Sequence, residues 1–301
     1  MKNINNMELI KVLTGYCENQ FYKCEKCQKC THPSGKCSGG CRECSEEVNY
    51  HKPGKRTDYN CQNFMYYYVC RYSWKYCSEI MYALEQIDRS TYPAFNILSV
   101  GCGGAPDLMA FEKTRSPLDT REIFYKGYDM NPYWSPIHEV IQQHTSSAQH
   151  IEAEFIYKNI FEVLSSGKPA VRHYNVIVLE YLLSHFPPEE RAVLANTLFD
   201  GLIHNVLPNR LAGSPFLFLI NDIDHSEVTI YFDKLLRKLY DNGYTVSLCT
   251  RKHFKKRDFD YCDGSVQYPC DKNIFSIPDL IKDKFDCAIK CTSAQLIVEV
   301  Q

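Results

Sequence analysis

The sequence has no long apolar run and very little net charge. None of its 301 residues lies in an apolar stretch approaching the ~20 residues of a membrane span, so we expect no membrane partner. The first 13 residues lack the apolar core of a secretory signal, and we expect a cytoplasmic protein. The formal net charge of -2 predicts no general affinity for nucleic acid.

What the sequence does contain is a strand that runs straight into a glycine-rich turn. Asn96–Val100 has strand character, glycines dominate Gly101–Gly104, and Asp107–Glu112 begins a helix. Glycine lets backbone come close to a bound molecule because no Cβ stands in the way. The helix N-terminus offers unpaired N–H groups to a polar ligand. The pattern therefore predicts a nucleotide-like cofactor at the carboxyl ends of parallel strands.

The strand that follows supports this prediction because it ends in an acid, Asp129. In dinucleotide-binding folds, an acid ~20 residues beyond the glycines binds the ribose hydroxyls, and Asp129 follows Gly101 by a slightly longer margin. Two carboxylate oxygens can accept a hydrogen bond from each hydroxyl of a ribose. The alternative is a helix-capping role, since Asn131-Pro132 and a helical stretch follow.

The run Ile97–Asp129 resembles the first two motifs of the class I S-adenosylmethionine-dependent methyltransferases, and the resemblance extends to Gln301. It implies an enzyme with S-adenosylmethionine as cofactor. The implied fold is α/β: a doubly wound, mostly parallel seven-stranded sheet with an antiparallel last strand, over residues 90–301. The remaining strand candidates are Ile151–Tyr157, Tyr174–Glu180, Ser214–Asp222, Tyr244–Thr250 and Ala294–Val300. The last two candidates fit the final hairpin of the methyltransferase arrangement. A dinucleotide-binding dehydrogenase would normally continue with another helical crossover at this point, so the pattern argues against NAD as the cofactor.

The match to the first family motif is incomplete. Gly101 and Gly103 occupy two of its glycine positions, whereas Ala105 stands at the third. Ser99 stands where the family usually has an acid that contacts the methionine amino group. Asp107 is a candidate substitute for that acid, and a role at the helix N-terminus explains it equally well.

The resemblance also implies a set of site residues. Asn159 would lie at the amino edge of the adenine and Ile160 on its face. Cofactor contacts are expected at Ser99, Gly101, Gly103, Asp129, Met130, Asn159, Ile160 and Glu180. No single general base is evident, and the catalytic candidates, chosen by their position near strand ends, are Tyr181, His185 and His225.

The methyl acceptor stays open, with a small molecule or a protein favoured. Glu180-Tyr181-Leu182-Leu183 replaces the Asn-Pro-Pro-Tyr or Asp-Pro-Pro-Tyr tetrapeptide with which enzymes that methylate amino groups of DNA bases hold their target. RNA is the main alternative acceptor, through the basic run Arg251–Arg257, although a solvated surface explains that run as well. Two further alternatives are a binding protein without activity and transfer of the aminocarboxypropyl arm of the donor.

A second strong feature is the cysteine content, 16 residues in all. Six fall in one short segment and are the predicted metal ligands: Cys24, Cys27, Cys30, Cys37, Cys41 and Cys44. Paired Cys-x-x-Cys units are typical of tetrahedral zinc sites. An iron–sulfur cluster is the alternative, because the first three cysteines fit a ferredoxin run, although Ser38 rather than proline follows the fourth. We predict a metal-folded module over residues 1–58.

Residues 59–89 are predicted to link this module to the sheet through a long aromatic helix that ends near Leu84. Its aromatic stripe recurs at three- and four-residue spacing and consists of Phe64, Tyr68, Tyr72 and Tyr76. One interpretation is that the stripe packs in the core against the sheet. The other is that some of its tyrosines line a substrate pocket beside the methyl donor.

Overall fold

One sheet with helices on both faces organises the protein. The structure, a computed structural model, describes residues 8–22, 40–49, 59–115, 119–147, 150–166, 173–254 and 266–301. The strands within these ranges are β1 (Phe95–Val100), β2 (Ile123–Asp129), β3 (Ile151–Tyr157), β4 (Val176–Glu180), β5 (Phe216–Ile223), β6 (Val246–His253), β7 (Val266–Gln267) and β8 (Ser293–Val300). The α-helices are α1 (Leu9–Gln20), α2 (Cys41–Asn49), α3 (Gln62–Leu84), α4 (Pro106–Thr114), α5 (Ser135–Ser147), α6 (Ile160–Ser165), α7 (Arg191–Gly201), α8 (Ser226–Asp241) and α9 (Asp279–Phe285).

The strand order is β3-β2-β1-β4-β5-β8-β6-β7. The first five strands pair in parallel, and β8 runs antiparallel between β5 and β6. The predicted α/β class, with a mostly parallel sheet and an antiparallel last strand, is confirmed. The strand count differs, because the described residues contain eight strands and not seven. The additional one, β7, is a two-residue edge strand beside Lys252 and His253, too short to leave a periodic pattern.

Alternate residues of the central strands supply two separate hydrophobic cores. Ile97 of β1 packs with α1 to α5 and α9 on one face, and Leu98 packs with α6 to α8 on the other. Successive side chains of a strand point to opposite faces, so a strand covered on both sides reads as a continuous apolar run. This is why Val176–Leu179 is apolar at every position.

The helix α3 packs against the sheet, and the N-terminal helices α1 and α2 pack in the same core. Leu13 of α1 and Val48 of α2 belong to the same core as α3 and β1. The described parts of residues 1–58 thus share the core of the sheet, and the domain boundary near residue 58 stays a prediction. Neither α3 nor another helix in the described ranges is long and apolar enough to cross a bilayer.

Candidate functional site

A cavity of about 720 Å³ opens at the carboxyl ends of β1, β2 and β4. This volume falls within the range of small-molecule sites. From β1 the chain goes to β2 and β3 on one side and then crosses to β4 on the other side of β1, so the cavity lies where the strand order reverses. Ligands of open α/β sheets bind at such switch points. One wall of the cavity comes from α3 and from the residues just before it.

The glycine turn brings bare backbone to this cavity. Gly101 and Gly103 have φ values of +69° and +48°, in the left-handed region that glycine adopts without strain. A Cβ on Gly101 would lie 2.8 Å from the Cδ1 atom of Leu182, so a side chain there would displace its neighbour. Ala105, also left-handed at +53°, ends the turn as the N-cap of α4.

Asp129 at the end of β2 holds the glycine turn through direct hydrogen bonds of its side chain. Its Oδ2 atom accepts from the backbone N–H of Gly103 at 3.0 Å, and its Oδ1 atom accepts from that of Asn131 at 2.8 Å. Burial raises the pKa of the Asp129 carboxyl to about 6, against the lowering by these N–H groups. A carboxylate oxygen can accept more than one hydrogen bond, so both oxygens keep capacity for ligand hydroxyls.

Asp107 in the first turn of α4 supplies a second acid to the cavity. It is 1% exposed, and its Oδ1 atom accepts from the Tyr125 hydroxyl at 2.9 Å. Its Oδ2 atom is buried and accepts no well-formed hydrogen bond from the described residues, although the Ser99 hydroxyl is close enough to lower the pKa. Burial outweighs that effect and raises the pKa of Asp107 to about 6. Asp107 is thus a second buried acid, eight residues after Ser99, and its role as a substitute for the missing acid stays a prediction.

His138 on α5 fastens the glycine turn to the sheet. Its Nε2 atom lies 2.7 Å from the carbonyl oxygen of Gly103, and its Nδ1 atom lies 2.9 Å from the Tyr157 hydroxyl. Burial lowers the pKa of His138 to about 4, so the ring is neutral at pH 7. A neutral ring carries one proton, so Nε2–H donates to Gly103 and Nδ1 accepts from Tyr157.

Asn159, Ile160 and Met130 lie around the rim of the same cavity. The Asn159 side chain caps α6 by accepting from the Phe161 backbone N–H at 3.0 Å, which leaves its amide group as a donor. Ile160 is buried beside it, whereas Met130 is 66% exposed. These positions suit an edge-on polar contact and two apolar contacts with a flat ring.

Glu180 and Tyr181 follow β4 at the floor of the cavity. Glu180 accepts from the Asn221 amide at 3.1 Å through Oε1, while its buried Oε2 atom has no hydrogen-bond partner among the described residues. Burial, and next the charges of Asp107 and Glu79, raise the pKa of the Glu180 carboxyl well above its ordinary value. Tyr181 has a φ of +50°, unusual for a bulky residue and found where the surroundings impose it.

Glu79 of α3 binds the Tyr181 side chain, and sequence reasoning missed it. Its Oε2 atom accepts from the Tyr181 hydroxyl at 2.8 Å and from the Asn221 amide at 3.1 Å. Its Oε1 atom accepts from the backbone N–H groups of Thr292 and Ser293 at 2.7 and 3.2 Å. A fully buried carboxylate with this many donors joins α3 to the ends of β4, β5 and β8.

Four tyrosines form what we call the tyrosine wall: Tyr59, Tyr68, Tyr76 and Tyr181, all lining the cavity. Their ring centroids are 5.6 Å apart for Tyr59 and Tyr68, 6.2 Å for Tyr68 and Tyr76, and 4.3 Å for Tyr76 and Tyr181. Burial raises the pKa of every one of these phenols, so all are neutral at pH 7. Tyr68 and Tyr76 belong to the predicted aromatic stripe, so that stripe reaches the pocket as well as the core.

Of the two catalytic histidine candidates, the structure brings one to the cavity. His185 lies in a short 3-10 turn held by Asp222, whose Oδ2 atom accepts from the backbone N–H groups of Leu183 and Ser184. The Nε2 atom of His185 is 3.2 Å from the Tyr59 hydroxyl. His225 instead caps α8, accepting from the Glu227 backbone N–H, and is not among the residues that line the cavity.

The predicted metal ligands fall mostly outside the described residues, namely Cys24, Cys27, Cys30 and Cys37. Cys41 and Cys44 are described, on one face of α2 and buried at 5% and 6% exposure in the core shared with α3. Among the described residues, no group of three or more His, Cys, Asp or Glu side chains is arranged to hold a metal ion.

The basic run is described only in its first part, because positions 255–257 lie outside the described residues. Arg251 pairs with Asp233 at 2.6 Å, and Lys252 lies over the ring of Tyr268. His253 is buried and lies 3.1 Å from Asp224. The described part of the run is thus engaged with the protein itself.

The structure brings ten predicted site residues to one cavity. They are Ser99, Gly101, Gly103, Asp129, Met130, Asn159, Ile160, Glu180, Tyr181 and His185. Their contact with a cofactor stays a prediction. Besides Glu79, sequence reasoning missed Tyr59, whose aromatic character beside the long helix was the one available signal.

Comparisons with known proteins give distant structural likenesses only. The sequence matches no family model and no curated protein. The plantazolicin methyltransferase BpumL in complex with SAH is 13% identical, with a TM-score of 0.43, over 100% of this chain and 98% of that one. Magnesium protoporphyrin IX methyltransferase from Synechocystis PCC 6803 with bound SAM is 9% identical, with a TM-score of 0.40, over 87% and 96%. A SAM-dependent methyltransferase from Archaeoglobus fulgidus is 13% identical, with a TM-score of 0.40, over 75% and 94%. Likenesses of this size do not decide the activity.

Proposed function

We propose that this protein is a methyltransferase that uses S-adenosylmethionine. The observation that carries the proposal is the joint placement of the glycine turn, Asp129 and Asp107 around one cavity at the switch point of the sheet. Bare backbone, an acid at the end of the second strand and a second buried acid match the three polar parts of the cofactor. Those parts are the carboxylate, the ribose hydroxyls and the ammonium group.

The residues of this chain have distinct roles in holding the cofactor. Asp129 accepts from the ribose hydroxyls with the capacity that its two backbone contacts leave. Asp107 pairs with the ammonium group, because a buried acid with an unsatisfied oxygen favours a cation. Asn159 donates to the adenine edge while Ile160 covers a ring face.

When bound, S-adenosylmethionine supplies a methyl group activated by the positive charge on its sulfur. The protein aligns an acceptor behind that methyl group and excludes water, which is the main catalytic requirement. The tyrosine wall provides the water-excluding surface. At this end the Nε2 atom of His185 lies 3.2 Å from the Tyr59 hydroxyl, whereas the Tyr181 hydroxyl is already donated to Glu79, so His185 is the better placed of these two candidates to contact an acceptor.

Calorimetric titration with S-adenosylhomocysteine and product analysis test the proposal. We expect one binding site per chain, and S-adenosylhomocysteine as the product formed from the donor. Methylthioadenosine as the product would instead show transfer of the aminocarboxypropyl arm. A protein that neither binds nor consumes the donor would be a binding protein of this fold. Acceptor activity that falls steeply with salt would favour RNA.

We further propose that the N-terminal cysteines bind zinc, chiefly because of their sequence pattern. Cys41 and Cys44 lie on one face of α2, which is compatible with two ligands of one site, and the others would come from Cys24, Cys27, Cys30 and Cys37. Elemental analysis of aerobically purified protein should find one or two zinc ions per chain. Iron with acid-labile sulfide would identify a cluster, and absence of both metals would contradict the proposal.

A further inference from the structure

Glu180 places one unsatisfied carboxylate oxygen beside the tyrosine wall. Its Oε1 atom is held by Asn221, which is itself bound to Glu79, so the carboxylate is fixed in orientation. Its Oε2 atom is buried without a partner among the described residues. An unpaired buried carboxylate is costly, and it favours a ligand that brings an N–H donor or a positive charge.

The tyrosine wall offers ring surfaces to a ligand, and its hydroxyls already contact one another or a neighbouring side chain. The Tyr59 hydroxyl is near His185, Tyr68 and Tyr76 lie 3.3 Å apart at their hydroxyls, and Tyr181 donates to Glu79. Ring faces attract cations through their quadrupole. The protein already uses this attraction: the Lys75 ammonium lies 5.3 Å from the Tyr76 centroid and 4.8 Å from that of Tyr181. Lys75 does not line the cavity, so the cavity side of the wall is left for a ligand.

The charges of the residues that line the cavity also favour a cationic ligand. Among its described lining residues, Asp107, Asp129 and Glu180 are acids, whereas Lys158 is the one Lys or Arg. Lys158 lies at the Asn159 side, at the adenine end of the cavity. An anionic acceptor would therefore meet carboxylates, and at the tyrosine wall no Lys or Arg lines the cavity to pair with it.

We propose that the methyl acceptor is an amine, bound through its N–H groups by Glu180 and covered by the tyrosine wall. The proposal rests on the proposed methyltransferase function and adds the chemical class of its substrate. Glu180 is then the residue that selects nitrogen over oxygen and keeps anionic acceptors out.

The transfer balances in atoms and charge. The protonated amine gives one proton to the Glu180 carboxylate, which burial makes a better proton acceptor. The freed nitrogen lone pair forms a bond to the methyl carbon as the carbon–sulfur bond breaks. The electron pair of that bond stays on sulfur, which becomes a neutral thioether. The methylated amine leaves as an ammonium ion, and Glu180 returns its proton to solvent.

Calorimetric titration with two matched probes, benzylamine and benzyl alcohol, tests this inference. The titrations use full-length protein at pH 7.5, with and without saturating S-adenosylhomocysteine. We expect benzylamine to bind at least tenfold more tightly than benzyl alcohol, since a charge-assisted contact is the stronger one. In Glu180→Gln that preference should fall to near parity. Glu189→Gln, an exposed acid near the cavity, is the control and should keep the preference.

Three results would overturn the inference. The first is equal or tighter binding of benzyl alcohol to the unmodified protein. The second is a preference for the amine that survives Glu180→Gln. The third is a preference for benzylamine that is unchanged in Tyr68→Leu, because this variant removes the ring face. Tyr68→Phe keeps the ring face and is the matched control. Failure of S-adenosylhomocysteine to bind would contradict the methyltransferase function instead, and the titrations without it would still test the amine site. Circular dichroism confirms that each variant is folded.

Discussion

The two ends of the cavity are built in different ways. At the glycine turn, backbone atoms and one acid meet across a short stretch of chain, with Gly103 and Asp129 only 26 residues apart. At the tyrosine wall, side chains meet across long stretches: Tyr181 and Glu79 are 102 residues apart, and Tyr59 and His185 are 126 apart. The first end depends on local chain geometry and suits an invariant ligand. The second depends on side chains and can change its ligand through a few substitutions.

The strongest way to break this comparison is to remove the anchor of the tyrosine wall. Glu79→Ala leaves the N–H groups of Thr292 and Ser293, and the Lys75 ammonium, without their buried acceptor. Removing one partner of such a buried cluster costs about 3–5 kcal/mol of the free energy of unfolding. Urea unfolding measures that loss. Glu85→Ala, an exposed acid at the end of the same helix, is the control and should change stability by less than ~0.5 kcal/mol. Equal unfolding midpoints for the two variants would contradict the anchoring role.

Asp129→Ala attacks the glycine turn directly. It removes the acceptor for two ribose hydroxyls, and hydrogen bonds to a charged group contribute about 1.5–3 kcal/mol each. We expect at least a hundredfold loss of affinity for S-adenosylhomocysteine by calorimetric titration, since two such bonds sum to about 3 kcal/mol or more. Asp241→Ala, an exposed acid at the end of α8, should bind normally. Unchanged affinity in Asp129→Ala would remove the ribose assignment.

The pH dependence of binding sharpens the comparison further. Burial raises the pKa of Asp107 to about 6 from an ordinary 3.8, so the carboxyl is neutral below pH 6. Affinity for S-adenosylmethionine should therefore fall about tenfold between pH 7 and pH 5. In Asp107→Asn the slope should be smaller, with a remainder from Asp129, which titrates in the same range. The ligand-free protein shows the opposite sign: a raised acid pKa means that its stability falls as pH rises from about 4 to 6. If the affinity for S-adenosylmethionine depends on pH equally in Asp107→Asn and in the unmodified protein, the role of Asp107 is contradicted.

The smallest effect is expected outside both ends of the cavity. Arg251→Ala breaks an ion pair with an exposed partner, Asp233, and such pairs contribute about 0–1 kcal/mol. Methyl transfer to the acceptor and its salt dependence should not change. A large loss of activity that high salt reproduces in the unmodified protein would indicate that this arginine meets phosphate, and would favour an RNA acceptor.

The sequence was sufficient to predict the glycine-turn end because that end is local. The strand, the turn and the acid Asp129 follow one another, and their spacing alone implies that they meet. The sequence offers Asp107 both as a substitute for the acid missing at Ser99 and as a helix N-terminal residue, but it does not predict the burial of Asp107 with an unsatisfied oxygen. That burial depends on Tyr125 of the next strand.

The tyrosine wall could be predicted only in part, because its contacts cross between distant segments. Helical spacing placed Tyr68 and Tyr76 on one stripe, but spacing does not say whether a stripe faces a core or a cavity. Glu79 carried no signal, since an acid in a long helix is normally exposed. His185 and His225 both lie near strand ends, so the sequence does not distinguish between them. In the structure, the short turn held by Asp222 brings His185 to the cavity, whereas His225 caps α8.

The position of β8 has a consequence for how the protein is made. This strand follows every other described strand in the chain, yet it pairs with both β5 and β6, and Glu79 binds the backbone just before and at its first residue. During synthesis, β5 and β6 each keep one edge unpaired until β8 emerges from the ribosome. Contacts of such high sequence separation form late and fold slowly. The glycine turn can therefore assemble during synthesis, whereas the tyrosine-wall end is completed only after translation has passed Val300.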